Sequence, residues 1–553
     1  MSAPIVAEPN GFELPENQLA VIRWNILFGF AVLAVGVLFG LEQALNYARI
    51  DAVKYYPGIH SYYQGLTLHG VLNALVLTTA FANGFVSLTT ARGLGRALNG
   101  ALLQIAFWLL LIGSLLAAFA MLTDHANVLY TFYPPLQAQW TFYLGLAMVV
   151  ISTWVTSANQ LVMLRAWRRE HPGERIPLMA FMSVTTYIMW DIASVGLAVE
   201  VVGLLLPWSL GLIAGSDPLL SRTLFWFTGH PIVYFWLLPI YISWYGLIPK
   251  QSGGLLFSDT LTRIAFLMFI VLVPVGFHHQ FLDPGVPEKI KFAVTILTFG
   301  IFFPSLMTAF AVMYALEIAG RRAGGTGLIG WFFRIPWSNP SVSAQVLGML
   351  AFLLGGISGL MNASFSMNLD IHNTAFIPGH FHLTLGTAVA LSYMGIAYWL
   401  IPYLFKRKLW MPRLAVVQAF LYFGGVLIFS RGMMYGGLHG MPRRTALALS
   451  TYDQPAWHAA GAMAAIGGTI MFISAMLFFL VLVMTIVAGE RGAREDVPFT
   501  ATVQAPALSG WPVKLDALRY FVVASVVLCI LVYGPFLYMY LPPHLGILPL
   551  RYP

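Results

Sequence analysis

The chain has 553 residues, of which 59% are hydrophobic and 9% are charged. Because soluble globular proteins carry about 25% charged residues, this composition excludes a soluble protein. The net charge of +8 does not indicate a nucleic-acid partner, since the lysines and arginines lie in short segments between apolar runs, where they set membrane topology.

Apolar runs of about 20 residues recur along the chain, and each can cross a hydrocarbon core of about 30 Å as a helix. We predict one all-α, polytopic membrane domain over 1–553, with a polar N-terminal segment at 1–20, which lacks the features of a signal peptide, and an inner loop at 488–515. The thirteen predicted spans, the last being an additional C-terminal helix, are 23–45, 64–88, 102–122, 140–164, 179–206, 223–248, 261–281, 291–317, 343–367, 373–401, 414–438, 457–487 and 518–541.

Charge and cysteine content constrain the topology and the metal chemistry. Most of the 29 lysines and arginines fall in segments on the same side of the membrane as the N-terminus. By the positive-inside rule, this distribution predicts that the N-terminus is inside and the C-terminus outside. The one cysteine, Cys529, excludes disulfides within the chain and cysteine-based metal clusters. Any metal is therefore expected on histidine.

Six histidines lie within the predicted spans, where polar side chains are costly and usually functional. Taken singly, each also fits a hydrogen-bonded core histidine. The predicted orientation, however, places all six in the outer part of the membrane, on four separate segments, so we expect them to converge. They are His69, His230, His278, His279, His380 and His382.

The pair His380 and His382 is two residues apart, so the two side chains point to nearly opposite faces of a helix. Two imidazoles on opposite sides of a haem iron give a six-coordinate, low-spin centre, whereas one imidazole leaves the iron open to a ligand. With His69 as the partner of one member of the pair, a low-spin and a high-spin haem would flank the tenth span.

The other three histidines, His230, His278 and His279, form a ligand set that suits copper and leaves a position open. Tyr234 follows His230 by four residues and so lies on the same helix face. Its phenol could supply a proton and an electron to O2 reduction, although an ordinary interfacial tyrosine would also fit this position.

At these residues the chain resembles a known family. Four motifs and three further tracts are similar to subunit I of haem–copper oxidases, and most closely to the ba-type, or B-family, cytochrome c oxidases. The motifs are QGLTLHG (64–70), GHPIVYF (229–235), GFHHQF (276–281) and GHFHL (379–383), and the tracts are YTFYPPL (130–136), SLMTAF (305–310) and PRR (442–444).

This resemblance implies specific metal ligands. His69 and His382 would bind the low-spin haem, a haem b, and His380 would bind the high-spin haem, of the a type. Tyr234 would be covalently joined to His230. The copper ion, CuB, would be bound by the triad His230, His278 and His279.

The resemblance also places Arg443 and Arg444 at the haem propionates, although a pair of solvated loop charges is the alternative. His372 could bond a propionate too. Asn368 stands where the family more often has Asp, which is a departure from the pattern in this region.

Tyr234, Tyr241 and Tyr245 form one helical stripe directed inward, which Ser305 and Thr308 could complete. The stripe resembles the K-type proton path of the B family, although tyrosines at this spacing also occur in ordinary packing. Ala311 departs from the family, which often has a hydroxyl residue there.

Asp191 and Glu200 are intramembrane acids for which structural hydrogen bonding and proton handling are both open.

The predicted function is that of a terminal oxidase subunit in a prokaryotic cytoplasmic membrane. It would reduce O2 to water with electrons from cytochrome c or a similar donor, delivered through a CuA centre on subunit II, and translocate protons. Its partners would be these proteins, O2 and the lipid bilayer, with no nucleic acid. A nitric oxide reductase of the same superfamily and a proton-coupled transporter are the alternatives.

Overall fold

Thirteen helices make up most of the computed structural model, which describes residues 12–283, 286–492, 497–500 and 511–545. The first part of the predicted N-terminal segment and most of the predicted inner loop after residue 492 lie outside these ranges. The all-α fold is confirmed. The helices are α1 (Glu16–Tyr47), α2 (Tyr62–Leu94), α3 (Gly100–Leu122), α4 (Trp140–Glu170), α5 (Leu178–Ser209), α6 (Pro218–Gly246), α7 (Asp259–Leu272), α8 (Glu288–Arg322), α9 (Pro340–Ala363), α10 (Phe376–Phe405), α11 (Pro412–Leu438), α12 (Pro455–Ala488) and α13 (Leu518–Leu545).

The helices that carry the predicted metal ligands are central in the bundle. Within their most apolar windows, 89% of the residues of α2, 78% of those of α6 and 83% of those of α10 are buried in the protein. The corresponding fraction for α13 is 28%. The peripheral helices face lipid, so the histidines of α2, α6 and α10 lie where the bundle itself, and not the bilayer, surrounds them.

Twelve of the thirteen predicted spans are helices long and apolar enough to cross a membrane, judged over the described residues. The seventh differs from the prediction of one continuous span at 261–281, because α7 has 14 residues and ends at Leu272. Pro274 has no N–H to donate to the carbonyl of Ile270 and cannot continue the helix. The chain then runs irregularly to a short 3-10 turn at Phe277–Gln280.

Non-helical backbone at membrane depth needs hydrogen-bond partners from the protein, because the hydrocarbon core supplies none. One face of α13 provides them to the last turn of α7 and to the segment that follows it. Its side chains are spaced four residues apart, and they bond successive backbone groups: Ser525 Oγ to Ile270 O at 2.8 Å, Cys529 Sγ to Pro274 O at 3.3 Å, and Tyr533 Oη to Gly276 N at 2.8 Å. The C-terminal helix therefore stabilises the segment that carries His278 and His279.

We expect Tyr533→Phe to destabilise the protein, because the buried N–H of Gly276 would lose its acceptor at a cost of about 1–3 kcal/mol. The measurement is the thermal unfolding midpoint of the detergent-solubilised protein. Tyr538→Phe, on the same helix at a side chain that is 79% exposed, is the control and should leave the midpoint unchanged. Equal midpoints for both variants would contradict the role of α13.

Candidate metal and cofactor centre

Two cavities meet at α10, and Phe381 and Arg443 line both of them. The first lies among α1, α2, α10, α11 and α12 and contains His69 and His382. The second lies among α6, α8, α9 and α10 and contains His380. The two histidines of the HxH pair thus serve separate cavities, as their helical spacing requires.

In the first cavity, the rings of His69 and His382 are parallel within 6° and their centres are 6.3 Å apart. Two metal–nitrogen bonds of about 2 Å each, together with the distance from each nitrogen to its ring centre, add to about 6 Å. The separation therefore fits two imidazoles bound to opposite sides of one iron.

Hydrogen bonds fix which nitrogen of each ring is available. Nδ1 of His69 lies 2.9 Å from Gly36 O, and Nδ1 of His382 lies 2.7 Å from Pro378 O. Because a carbonyl oxygen can only accept, both Nδ1 atoms carry the proton. Each Nε2 consequently keeps a lone pair for a metal, as is usual for metal-binding histidines.

The second cavity offers one imidazole from α10. Ser358 Oγ donates to Gly355 O at 2.9 Å and is therefore the acceptor for Nδ1 of His380, also at 2.9 Å. Nε2 of His380 is again free for a metal. Gly356 on α9 lines the same cavity and has open space where a Cβ would lie, so no side chain fills the cavity at that point.

Three further histidines line the second cavity. His230, near the middle of α6, and His278 and His279, in the segment after α7, place one nitrogen each within 4.8 Å of the others. The Nε2 atoms of His230 and His279 are buried without a hydrogen-bond partner, which is unfavourable unless a ligand binds them. His279 stacks on Trp226 with ring centres 4.0 Å apart. The donor set fits a copper ion.

Tyr234 lines the same cavity, and its ring centre is 5.1 Å from that of His230. Its phenol interacts with the hydroxyl of Ser305 on α8. The tyrosine thus contacts both the histidine triad and the start of the predicted polar stripe.

The predicted stripe continues inward along α6. Tyr241 and Tyr245 are fully buried, and Tyr245 Oη donates to Thr308 Oγ1 at 2.9 Å. The hydroxyl of Tyr241 is buried and makes no direct hydrogen bond, and the Ser305 side chain lies near it. A water molecule could bridge these groups, since an unpaired buried hydroxyl is costly.

The two arginines lie outside the spans, beside the cavities. Burial and the adjacent Arg444 lower the pKa of Arg443 to about 10, so both side chains remain charged at pH 7. Burial would raise the pKa of Tyr130, but the nearby Arg444 and Arg443 outweigh it and hold that pKa below its usual value of 10. Nε and Nη2 of Arg444 have no hydrogen-bond partner. Two adjacent cations, one of which has buried donors without partners, fit carboxylates such as haem propionates.

His372 and Asn368 lie in the second cavity next to Arg443. Nδ1 of His372 bonds Asn368 Oδ1 at 2.9 Å. Burial, followed by repulsion from Arg443, lowers the pKa of His372 to about 4. The side chain is therefore neutral at pH 7 and can donate to an acceptor without adding charge.

The two intramembrane acids whose role the sequence leaves open do not line the site. Asp191 is bonded by Ser157 at 2.5 Å, and Glu200 is fully buried on α5. Neither lines the two cavities. Sequence reasoning also missed Asn73, Ser358 and Trp226; of these, Asn73 follows His69 by four residues, so helical spacing alone could have identified it.

Known proteins are similar to this chain over most of its length. The family described as "Cytochrome C and Quinol oxidase polypeptide I" matches residues 20–470. The chain belongs to this family. It is 44% identical to cytochrome c oxidase subunit 1 of Thermus thermophilus over 94% of each chain, and 26% identical to cytochrome c oxidase polypeptide 1 of Halobacterium salinarum over 86% of this chain and 81% of that one.

A solved structure supports the same assignment. The chain matches a haem–copper terminal oxidase, determined as a dimer by cryo-electron microscopy, with a TM-score of 0.90 and 37% identity over 94% of this chain and 92% of that one. The predicted family, haem–copper oxidase subunit I, is confirmed. The protein is an integral membrane oxidoreductase whose family uses haem and CuB, and the histidine triad fits the CuB site.

We expect Asn368→Asp to raise the pKa of His372 from about 4, because a carboxylate at hydrogen-bond distance stabilises the imidazolium and shifts such a pKa by about 1–3 units. Protonation would then occur at a higher pH. Solid-state NMR of 15N-histidine across a pH series measures the change. Asn368 lies on a short helix at Phe365–Ile371, and Ser366→Asp, which adds the same charge at an exposed position of that helix, should have a smaller effect. Equal titration in both variants would contradict this account.

Proposed function

We propose that this chain is the catalytic subunit of a proton-translocating terminal oxidase that reduces O2 to water with electrons from cytochrome c or a similar donor. The observation that carries the proposal is one cavity that holds His380, the His230, His278 and His279 triad, and Tyr234. The haems and CuB supply electron transfer and O2 binding when they are bound. The protein's own residues supply the ligands, the protons and the fixed geometry.

His69 and His382 are proposed as the ligands of the low-spin haem, a haem b, and His380 as the ligand of the high-spin haem, of the a type. The parallel rings in the first cavity support the first assignment. The single α10 imidazole in the second cavity supports the other. The haem types rest on the family resemblance. Since both cavities share Phe381, electrons would have a short path between them.

His230, His278 and His279 are proposed as the CuB ligands. Two of them have neighbours that hold the ring: His279 stacks on Trp226, and Thr298 Oγ1 lies 3.5 Å from Nδ1 of His278. Such support keeps an open ligand set in place without a fourth protein ligand.

Tyr234 is proposed to hold a proton on its phenol oxygen beside the triad, and to release it toward the reacting oxygen. A phenol can also lose an electron, which makes it a suitable one-electron donor. The covalent bond to His230 is part of the proposal; it is supported by the contact between the two rings, whose centres are 5.1 Å apart.

Protons would reach Tyr234 from the inner side through Tyr245, Thr308, Tyr241 and Ser305. The bond between Tyr245 and Thr308 and the contact between Ser305 and Tyr234 support this order. Ala311, fully buried one turn inward of Thr308, cannot relay a proton, so water would be needed there.

Arg443, Arg444 and His372 are proposed to bind the haem propionates. The two guanidiniums and the neutral imidazole lie at the cavity walls outside the spans. They would hold four carboxylates of two haems by charge-assisted hydrogen bonds.

A nitric oxide reductase would add glutamate ligands to the triad. Among the described residues, the group able to hold a metal ion consists of histidines alone, which favours copper. A proton-coupled transporter would not need two cavities beside one helix that are each lined by histidines with a free ring nitrogen.

The assembly would include a subunit II that carries the CuA centre, because this chain has a single cysteine and cannot form one. We place the complex in a prokaryotic cytoplasmic membrane, with its outer face toward the electron donor.

Tyr234→Phe should lower O2 consumption by on the order of 100-fold or more, because a positioned proton donor contributes about that factor. Both haem absorption spectra should remain. Tyr393→Phe removes the hydroxyl of another buried tyrosine, bonded to Trp236 O at 3.2 Å, and should keep most of the activity. Full O2 reduction by Tyr234→Phe would contradict the role of this phenol.

Thr308→Ala should slow proton uptake from the inner side on the order of tenfold or more, since it removes the partner of Tyr245. Stopped-flow measurements with a pH dye in vesicles would separate this step from haem reduction, which should be unaffected. Thr295→Ala, on the same helix but bonded to its own backbone at Lys291 O, is the control. Uptake at the control rate would exclude Thr308 from the path.

A further inference from the structure

The ring of His69 is held by two groups, neither of which is a metal ligand. Nδ1 of His69 lies 2.9 Å from Gly36 O and 3.2 Å from the side-chain amide of Asn73. Asn73 follows His69 on α2 within a π-helical turn, Val71–Leu77, and π-helical turns often occur at functional sites.

The donors and acceptors around His69 determine which atom of the Asn73 amide faces its ring. Nδ1 carries a proton because it bonds a carbonyl oxygen, so it cannot also accept from an N–H of Asn73. The two ends of an asparagine amide are distinguished by their partners and not by their shape. As placed, Oδ1 of Asn73 is buried without a partner. With the amide turned by 180°, this oxygen accepts from Nδ1 and the conflict is removed.

Two glycines on α1 make this arrangement possible. A Cβ on Gly40 would lie 2.8 Å from Cε1 of His69, and one on Gly36 would lie 2.6 Å from Cγ of Asn73. Gly36 and Gly40 form a GxxxG spacing, which allows two membrane helices to approach closely. The close contact of α1 with α2 therefore orders the ring of His69 and the amide of Asn73 together.

The two haem-facing histidines are supported differently. Nδ1 of His382 has one acceptor, Pro378 O at 2.7 Å, whereas Nδ1 of His69 faces two. Hydrogen bonds from a ligating imidazole to acceptors raise its basicity at the other nitrogen. A more basic ligand stabilises ferric iron relative to ferrous iron and lowers the reduction potential.

We propose that Asn73 is a positioning residue for the low-spin haem: its amide oxygen orients His69 and lowers the one-electron reduction potential of the iron that His69 binds. The proposal rests on the proposed function, because it takes His69 and His382 as the haem ligands. It assigns to Asn73 a role in setting the driving force for electron flow into the second cavity.

The test is a spectroelectrochemical titration of the low-spin haem in the purified holoenzyme. Asn73→Leu removes the acceptor at similar size and should raise the potential by an amount equal to about a tenfold change in the ferric/ferrous equilibrium, or about 59 mV. Asn73→Asp keeps an oxygen at the same place, so its potential should be equal to or below that of the wild type. Asn83→Leu removes a buried amide from the same helix that bonds Ser152 and Tyr187, and should cause no shift.

An unchanged or lowered potential in Asn73→Leu, or an equal rise in Asn73→Asp, would overturn the proposal while leaving the proposed function intact. Should Asn73→Leu fail to retain haem, Asn73→Ala provides the same test without steric load, and a potential equal to the wild type there would again overturn it. A wild-type protein without a bis-imidazole haem spectrum would overturn the proposed function and this inference with it.

Discussion

The structure depends on one constraint: the hydrocarbon core of the bilayer supplies no hydrogen-bond partners, so every polar group within it must be paired by the protein or by a bound ligand. Each imidazole at the centre has one nitrogen committed to the protein or held by packing, and the other left for a ligand. Two of the free nitrogens, on His230 and His279, are buried without any partner. A bound metal ion would satisfy these two nitrogens, and their convergence with His278 fits such a site.

The need for internal partners also explains the least regular part of the bundle. After α7 the chain leaves the helix at membrane depth, and this irregular path is what allows His278 and His279 to point toward His230. Ser525, Cys529 and Tyr533 of α13 then bond the backbone groups that have no partner within the helix. A helix at the lipid-facing edge of the bundle thereby contributes to a metal site that it does not touch.

Much of the architecture could be predicted from the sequence, because membrane spans and helical spacing leave strong patterns. Twelve spans matched apolar runs, and the spacing of His380 and His382 predicts opposite helix faces, which agrees with their lining two separate cavities. The break after Leu272 was missed because the apolar run continues through Val275, although Pro274 was a local sign of it. The spacing of Asn73 to His69 could have been noticed, but the packing of Gly36 and Gly40 against these two side chains could not be predicted, since it needs α1 to meet α2. Such contacts between distant parts of the chain carry no local pattern.

The most direct test of this account is the metal and haem content of the purified, full-length protein. Two haem irons and one copper per chain are expected, with the copper lost on substitution of His279 by alanine while both haems remain. Iron in place of copper, or a single haem per chain, would contradict the account of two imidazole-bound haems beside a histidine-bound copper.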